Sequence, residues 1–172
     1  MTSDILIRKA RSEEHATLGR ILVSAFAALP GMPSVDEQPD YYAAMSDVAR
    51  RAAEPSRTIF VAAGPAGELL GSIDFIADMQ HYGADGVETI ADAAGLRFLA
   101  VNAVHRGKGA GKALTRFCIA HARALGKARL VLHSTRLMTS AWTLYEGLGF
   151  VRFPEIDLKQ GDFEVLGFQL RW

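Results

Sequence analysis

The stretch HRGKGAGKAL, His105 to Leu114, constrains this chain more than any other. It spaces Gly107, Gly109 and Gly111 two residues apart and interleaves them with Arg106, Lys108, Ala110 and Lys112. A strand, Leu96 to Val101, precedes it. Ala113, Leu114, Phe117, Ala120, His121, Ala124 and Leu125 follow as a helical stripe that stops at Gly126, so the segment reads as strand, glycine turn and helix. Small residues let an anion approach the backbone, and amides from Gly107 to Lys112 at a helix N-terminus supply donors and a favourable dipole. The expected ligand is a phosphate or diphosphate.

Two well-known phosphate loops share that arrangement, and the spacing removes both. A Walker A loop needs Gly-x-x-x-x-Gly-Lys-Ser/Thr, whereas Arg106 stands at its first glycine and Ala113 at the hydroxyl residue that binds magnesium. A nucleotide hydrolase is thereby disfavoured. The dinucleotide fingerprint Gly-x-Gly-x-x-Gly conflicts with glycines spaced by two throughout, and Arg129 stands roughly twenty residues on, where its ribose-binding acid belongs.

The rest of the chain alternates strand and helix patterns. Ile5 to Ala10 reads as a strand, and Ser12-Glu13-Glu14 opens a helix with Leu18, Ile21, Leu22, Ala25, Phe26 and Leu29 inward. Pro39 opens a second helix carrying Tyr42, Met45, Val48, Ala49 and Ala52 on one face. Thr58 to Ala63 and Glu68 to Ala77 form a hairpin around Gly64-Pro65-Ala66-Gly67. Asp78 to Gly95 lacks periodicity, and its length marks it as a candidate substrate loop. Arg129 to Ser134 is a strand, and Thr139 or Ser140 can cap a helix with Ala141, Leu144, Tyr145 and Leu148 inward. Val151 to Leu158 and Phe163 to Trp172 read as two final strands around the turn Gln160-Gly161-Asp162.

A chain of 172 residues fits a single domain, expected to span 1–172. Lys plus Arg and Asp plus Glu number 19 each, so no global field draws the chain to nucleic acid or to a membrane surface. An anion site must be local. The lone Cys118 cannot close an internal disulfide, which suits a reducing, cytoplasmic compartment. No Cys/His spacing fits zinc, so no metal is expected. MTSDILIRKA lacks the features of an export signal, and no apolar run approaches the ~18 residues of a membrane span.

Arg106-x-x-Gly109-x-Gly111 resembles motif A, Gln/Arg-x-x-Gly-x-Gly/Ala, of the GNAT superfamily of N-acetyltransferases. FLAVNAVHRGKGAGKAL looks like that family's fourth strand, pyrophosphate loop and third helix, and SAWTLYEGLGF, Ser140 to Phe150, resembles its motif B. The order of elements agrees over essentially the whole chain. The resemblance implies an α+β fold: a mixed, mostly antiparallel sheet of six or seven strands, helices on both faces, and a splay between strands four and five. It also implies acetyl-coenzyme A as cosubstrate, an amine acceptor, direct attack in a ternary complex, and a homodimer as a common assembly.

By that resemblance the diphosphate falls to Arg106, Gly107, Lys108, Gly109, Ala110, Gly111 and Lys112, and the pantetheine arm to the backbone of Leu99 and Val101. The Val101 amide would polarise the thioester carbonyl. Tyr145 is the expected general acid, since a phenol of pKa ~10 stays protonated at neutral pH and can donate to a thiolate of ~8.5. The base is less defined. Gly95 stands where the family often has a glutamate at the start of the fourth strand, and Met138 where it often has an asparagine before the fourth helix. His133 is the candidate substitute, with Asp74, Asp78, His81 and Glu37 as others. Gly95 and Met138 also keep open a rival reading, a non-catalytic acyl-coenzyme A sensor or assembly module.

Overall fold

The computed structural model describes residues 4–160 and 163–172. Gly161 and Asp162, in the expected final turn, lie outside the described residues. The strands are β1 (Leu6–Lys9), β2 (Arg57–Ala63), β3 (Leu69–Ile76), β4 (Ala93–Val101), β5 (Arg129–Thr135), β6 (Val151–Arg152), β7 (Leu158–Gln160) and β8 (Phe163–Arg171). The helices are α1 (His15–Ala27), α2 (Pro39–Ser46), α3 (Val48–Ala52), α4 (Ala110–Ala124) and α5 (Thr139–Gly147).

The strands form one sheet in the order β1-β2-β3-β4-β5-β8-β6, with β7 also on β8. Every pairing is antiparallel except β4 with β5. Alternation along β2 shows how the sheet is covered. Phe60 and Ala62 face Leu114, Cys118 and Ala122 of α4, while Ile59 and Val61 face Leu18 of α1 and Val48 of α3. Helices therefore lie on both faces. Burial pushes the Cys118 thiol well above its ordinary value, as suits a small core hydrophobe.

Four boundaries differ from the sequence reading. The second helix breaks at Asp47, whose side chain accepts from the Arg50 amide and caps α3. The strand expected over Val151 to Leu158 is split by the 3-10 turn Pro154–Ile156, because Pro154 has no amide for a ladder. Among the described residues the sheet accordingly has eight strands. α5 starts after Met138 with no side-chain cap, so neither Thr139 nor Ser140 caps it. β4 starts at Ala93, three residues earlier than Leu96.

The segment before β4 is packed rather than open. Met79, Tyr82, Val87 and Ile90 join Ile76, Ala93, Val131 and Ile156 in a buried cluster. Its backbone is irregular, but its apolar side chains cover one face of the sheet centre.

Candidate functional site

Backbone geometry makes the gap between β4 and β5. The strands pair from Ala93↔Arg129 to Leu96↔Leu132, then part. β4 continues along β3 to Val101, and β5 along β8 to Thr135. On the β3 side, the pair Asp74↔Arg97 is followed by Ser72↔Ala100, so β4 carries one extra residue there. Phe98 sits in this bulge with φ 54°, a left-handed conformation rarely taken by a bulky residue. Its ring is braced by the guanidinium groups of Arg51 and Arg97, each 4.8 Å from the ring centre, and by Phe26 edge-on at 6.3 Å. Packing thus holds the strained bulge in place.

Alternation then fixes where the amides point. Asn102 donates to the Leu70 carbonyl of β3 at 2.8 Å, and successive amides of a strand face opposite edges. The amides of Leu99 and Val101 therefore face the gap.

Beyond Val101 the chain makes the 3-10 turn Ala103–His105 and enters the glycine loop. Gly109, with φ 85°, is the residue before α4, and no side chain caps that helix. Among the described residues, no protein acceptor meets the amides from Gly107 to Lys112. This row of free donors at a helix N-terminus fits a diphosphate. Arg106, Lys108 and Lys112 are exposed, and Lys108 Nζ lies 3.1 Å from His105 Nδ1. Buried Ala110 anchors the start of the helix.

α5 brings Tyr145 to the same gap. The residue is buried, lines the cavity between the splayed strands, and packs its ring 5.6 Å from that of Phe150. Burial pushes its hydroxyl far above the ordinary phenol range. Leu144, one residue earlier, packs toward Gly111 of the loop helix and so ties the two motifs together.

His133 of β5 is held at both ring nitrogens. Nε2 lies 2.7 Å from the Ile156 carbonyl, which can only accept, so Nε2 carries the hydrogen. In the neutral ring Nδ1 then accepts from the Tyr82 hydroxyl at 3.0 Å. Burial holds the His133 pKa below the ordinary imidazole value and pushes the Tyr82 hydroxyl up to about 12. Both residues line the gap. Two glycines permit this arrangement. A Cβ at Gly95 would lie 2.4 Å from Tyr82 Cδ2, and one at Gly167 would lie 2.2 Å from Ile156 Cγ1.

The remaining base candidates are placed elsewhere. Asp74 is buried and bonded to Arg51 Nε at 2.9 Å and Arg57 Nη1 at 2.8 Å, so its carboxylate is committed to holding α3 on the sheet. Asp78 and His81 are exposed, and Asp78 accepts from the Gln80 amide. Glu37 is at the surface, where the Ser34 amide holds its carboxyl below the usual range. Tyr82 and Arg97 are among the gap-lining residues that the sequence reading did not single out. The signal for Tyr82 was indirect, since a glycine at position 95 leaves room that some other side chain must fill. No group of three or more His, Cys, Asp or Glu side chains among the described residues is placed to hold a metal ion.

Comparison with known proteins agrees with this geometry. Residues 16–150 match the model of the acetyltransferase (GNAT) family. Mycothiol acetyltransferase of Thermobispora bispora is 35% identical over 111 residues, covering 63% of this chain and 36% of that protein. The chain spans well under half the length of the curated relatives it matches. Among solved structures, the PaiA N-acetyltransferase of Thermoplasma acidophilum in complex with coenzyme A aligns with a TM-score of 0.74 at 17% identity, over 98% of this chain and 99% of that one. An acetyltransferase of the GNAT family from Staphylococcus aureus Mu50 gives 0.70 at 16% identity, over 97% and 98%. These two alignments speak for the fold.

Proposed function

Because the chain belongs to the acetyltransferase (GNAT) family, we propose that it transfers an acetyl group from acetyl-coenzyme A to a primary amine by direct attack within a ternary complex. One observation carries this reading. The row of unpaired amides from Gly107 to Lys112 follows β4 in the chain, and Leu99 of β4 lines the gap together with Tyr145. When bound, acetyl-coenzyme A supplies a thioester whose acyl carbon an amine can attack.

The chain's own groups divide the remaining work. The loop amides hold the diphosphate, with Arg106, Lys108 and Lys112 adding screened charge. Leu99 and Val101 hold the pantetheine arm by strand-like hydrogen bonds, and the Val101 amide is aimed where carbonyl oxygen gains negative charge. Tyr145 stays protonated, because burial disfavours its phenolate, and donates to the departing thiolate.

His133 acts through Tyr82. As the amine gives its proton to the Tyr82 oxygen, Tyr82 passes its own to His133 Nδ1. The imidazolium that results keeps its Nε2 hydrogen on the Ile156 carbonyl. Tyr82 and His133 thereby fill the place that Gly95 leaves without a carboxylate.

A thiol-release assay over amines of several classes, run beside calorimetric titration of coenzyme A, tests the reading. Acetyl-dependent thiol release with at least one amine is expected. Tight binding without turnover on any amine would instead favour the non-catalytic sensor.

A further inference from the structure

The acceptor side of the gap has a charge and shape that select a substrate. Arg97 lines the gap, and its Nη1 donates to the carbonyl of Tyr82 at 3.0 Å. Its guanidinium lies over the rings of Phe98 and Tyr82, at 4.8 and 5.5 Å from their centres. These contacts orient the group without neutralising it. Among the described residues no carboxylate pairs with Arg97, and none lines the gap. Asp74, opposite Arg97 across β3 and β4, is bonded to Arg51 and Arg57. Asp157 is bonded twice by Arg152, at 2.9 and 2.6 Å, and Glu164 is paired with Arg136 at 2.9 Å.

A second cavity of 170 Å³ adjoins the gap and shares Tyr41, Thr135, Met138 and Val165 with it. Met32, Pro33 and Phe163 complete a largely apolar wall. An apolar cavity of about 150 Å³ holds a benzene ring, so this one has room for a single aromatic or branched aliphatic group. A bare ammonium entering here would meet the Arg97 charge and, among the described residues that line the gap, no acid to balance it. An amine that carries its own carboxylate meets a partner.

Resting on the acetyl-transfer reading above, we infer that the acceptor is an apolar or aromatic α-amino acid. Its carboxylate pairs with Arg97, its side chain fills the cavity lined by Met32, Pro33 and Met138, and its amine faces Tyr82. Arg97 suits this role because a guanidinium presents a planar fork that matches a carboxylate. Polyamines, which bring several cations and no anion, fit poorly.

The test compares L-phenylalanine, phenethylamine and spermidine as acceptors for the wild-type protein and for Arg97→Met. It also includes calorimetric titration of L-phenylalanine into wild-type protein loaded with coenzyme A. The wild type should bind L-phenylalanine and turn it over with a KM at least about tenfold below that of phenethylamine, with spermidine poorest. Arg97→Met should raise the L-phenylalanine KM by about 10- to 100-fold and abolish the preference for phenylalanine over phenethylamine. Preference for spermidine, or equal KM values for phenylalanine and phenethylamine, would overturn the inference while leaving acetyl transfer intact. Failure of every amine to turn over, with coenzyme A still bound, would overturn acetyl transfer itself and this inference with it. If Arg97→Met does not fold, the wild-type arms decide alone.

Discussion

In the proposed reading, the two ends of the gap recognise their ligands by different means. At the donor end, contacts would come from backbone amides between Leu99 and Lys112, and would depend on strand alternation and on the turn at Gly109. At the acceptor end, they come from side chains of separate segments: Tyr41 of α2, Tyr82 before β4, Arg97 of β4 and His133 of β5. Backbone recognition tolerates change in side chains but not in conformation. Side-chain recognition is the reverse, so the acceptor end can be retuned without disturbing the donor end.

Substitutions can break that division or sharpen it. The largest effect is expected at Tyr145, where loss of the hydroxyl removes the acid but touches no backbone. Tyr145→Phe should lower kcat by about 10²- to 10⁴-fold with coenzyme A affinity little changed, as read by steady-state kinetics and calorimetry. Unchanged kcat would remove Tyr145 from the acid role. Gly109→Asp attacks the donor end directly. A side chain there is strained at φ 85° whatever the space around it, and its charge opposes the diphosphate. Affinity for coenzyme A should fall at least about a hundredfold.

Gly95→Ala probes the acceptor end through packing. Its Cβ would press on Tyr82, and overpacking of this kind costs about 1–3 kcal/mol. Urea unfolding should show that loss, and turnover should fall as Tyr82 shifts from His133. Full activity in a destabilised variant would separate the Tyr82–His133 pair from catalysis.

The smallest effect is a displacement of the pH profile. Transfer requires neutral His133, and burial holds its pKa below the ordinary imidazole value. The acid limb of kcat/KM should therefore lie below the unperturbed ~6.5, with the rate falling as pH drops through the lowered pKa. The sign for stability is the same. The unfolded chain takes up the proton first, so this stabilisation is complete above ~6.5 and is lost as pH falls toward the folded value. A limb at or above ~6.5 would exclude His133 as the base.

The same division explains what the sequence disclosed. The strand, glycine turn and helix around the loop were legible because they depend on local backbone order, which residue spacing encodes; the roles proposed for Tyr145, Leu99 and Val101 came from the family resemblance. The Phe98 bulge was hidden, since Phe98 is a strong β-former held in a left-handed conformation by Arg51, Arg97 and Phe26. Tyr82 lay in a segment whose apolar residues follow neither helical nor strand spacing, because they pack as an irregular cover. His133 was visible as a candidate base. Its direction was not, because Ile156 and Tyr82 reach it from 23 and 51 residues away in the chain.

The independence of the two ends is the central claim, and one titration series tests it most directly. Coenzyme A is titrated calorimetrically into wild-type, Tyr82→Phe and Gly109→Asp proteins. The expected result is a dissociation constant within about twofold of wild type for Tyr82→Phe and a collapse of binding for Gly109→Asp. A tenfold or greater loss of coenzyme A affinity in folded Tyr82→Phe would contradict the claim.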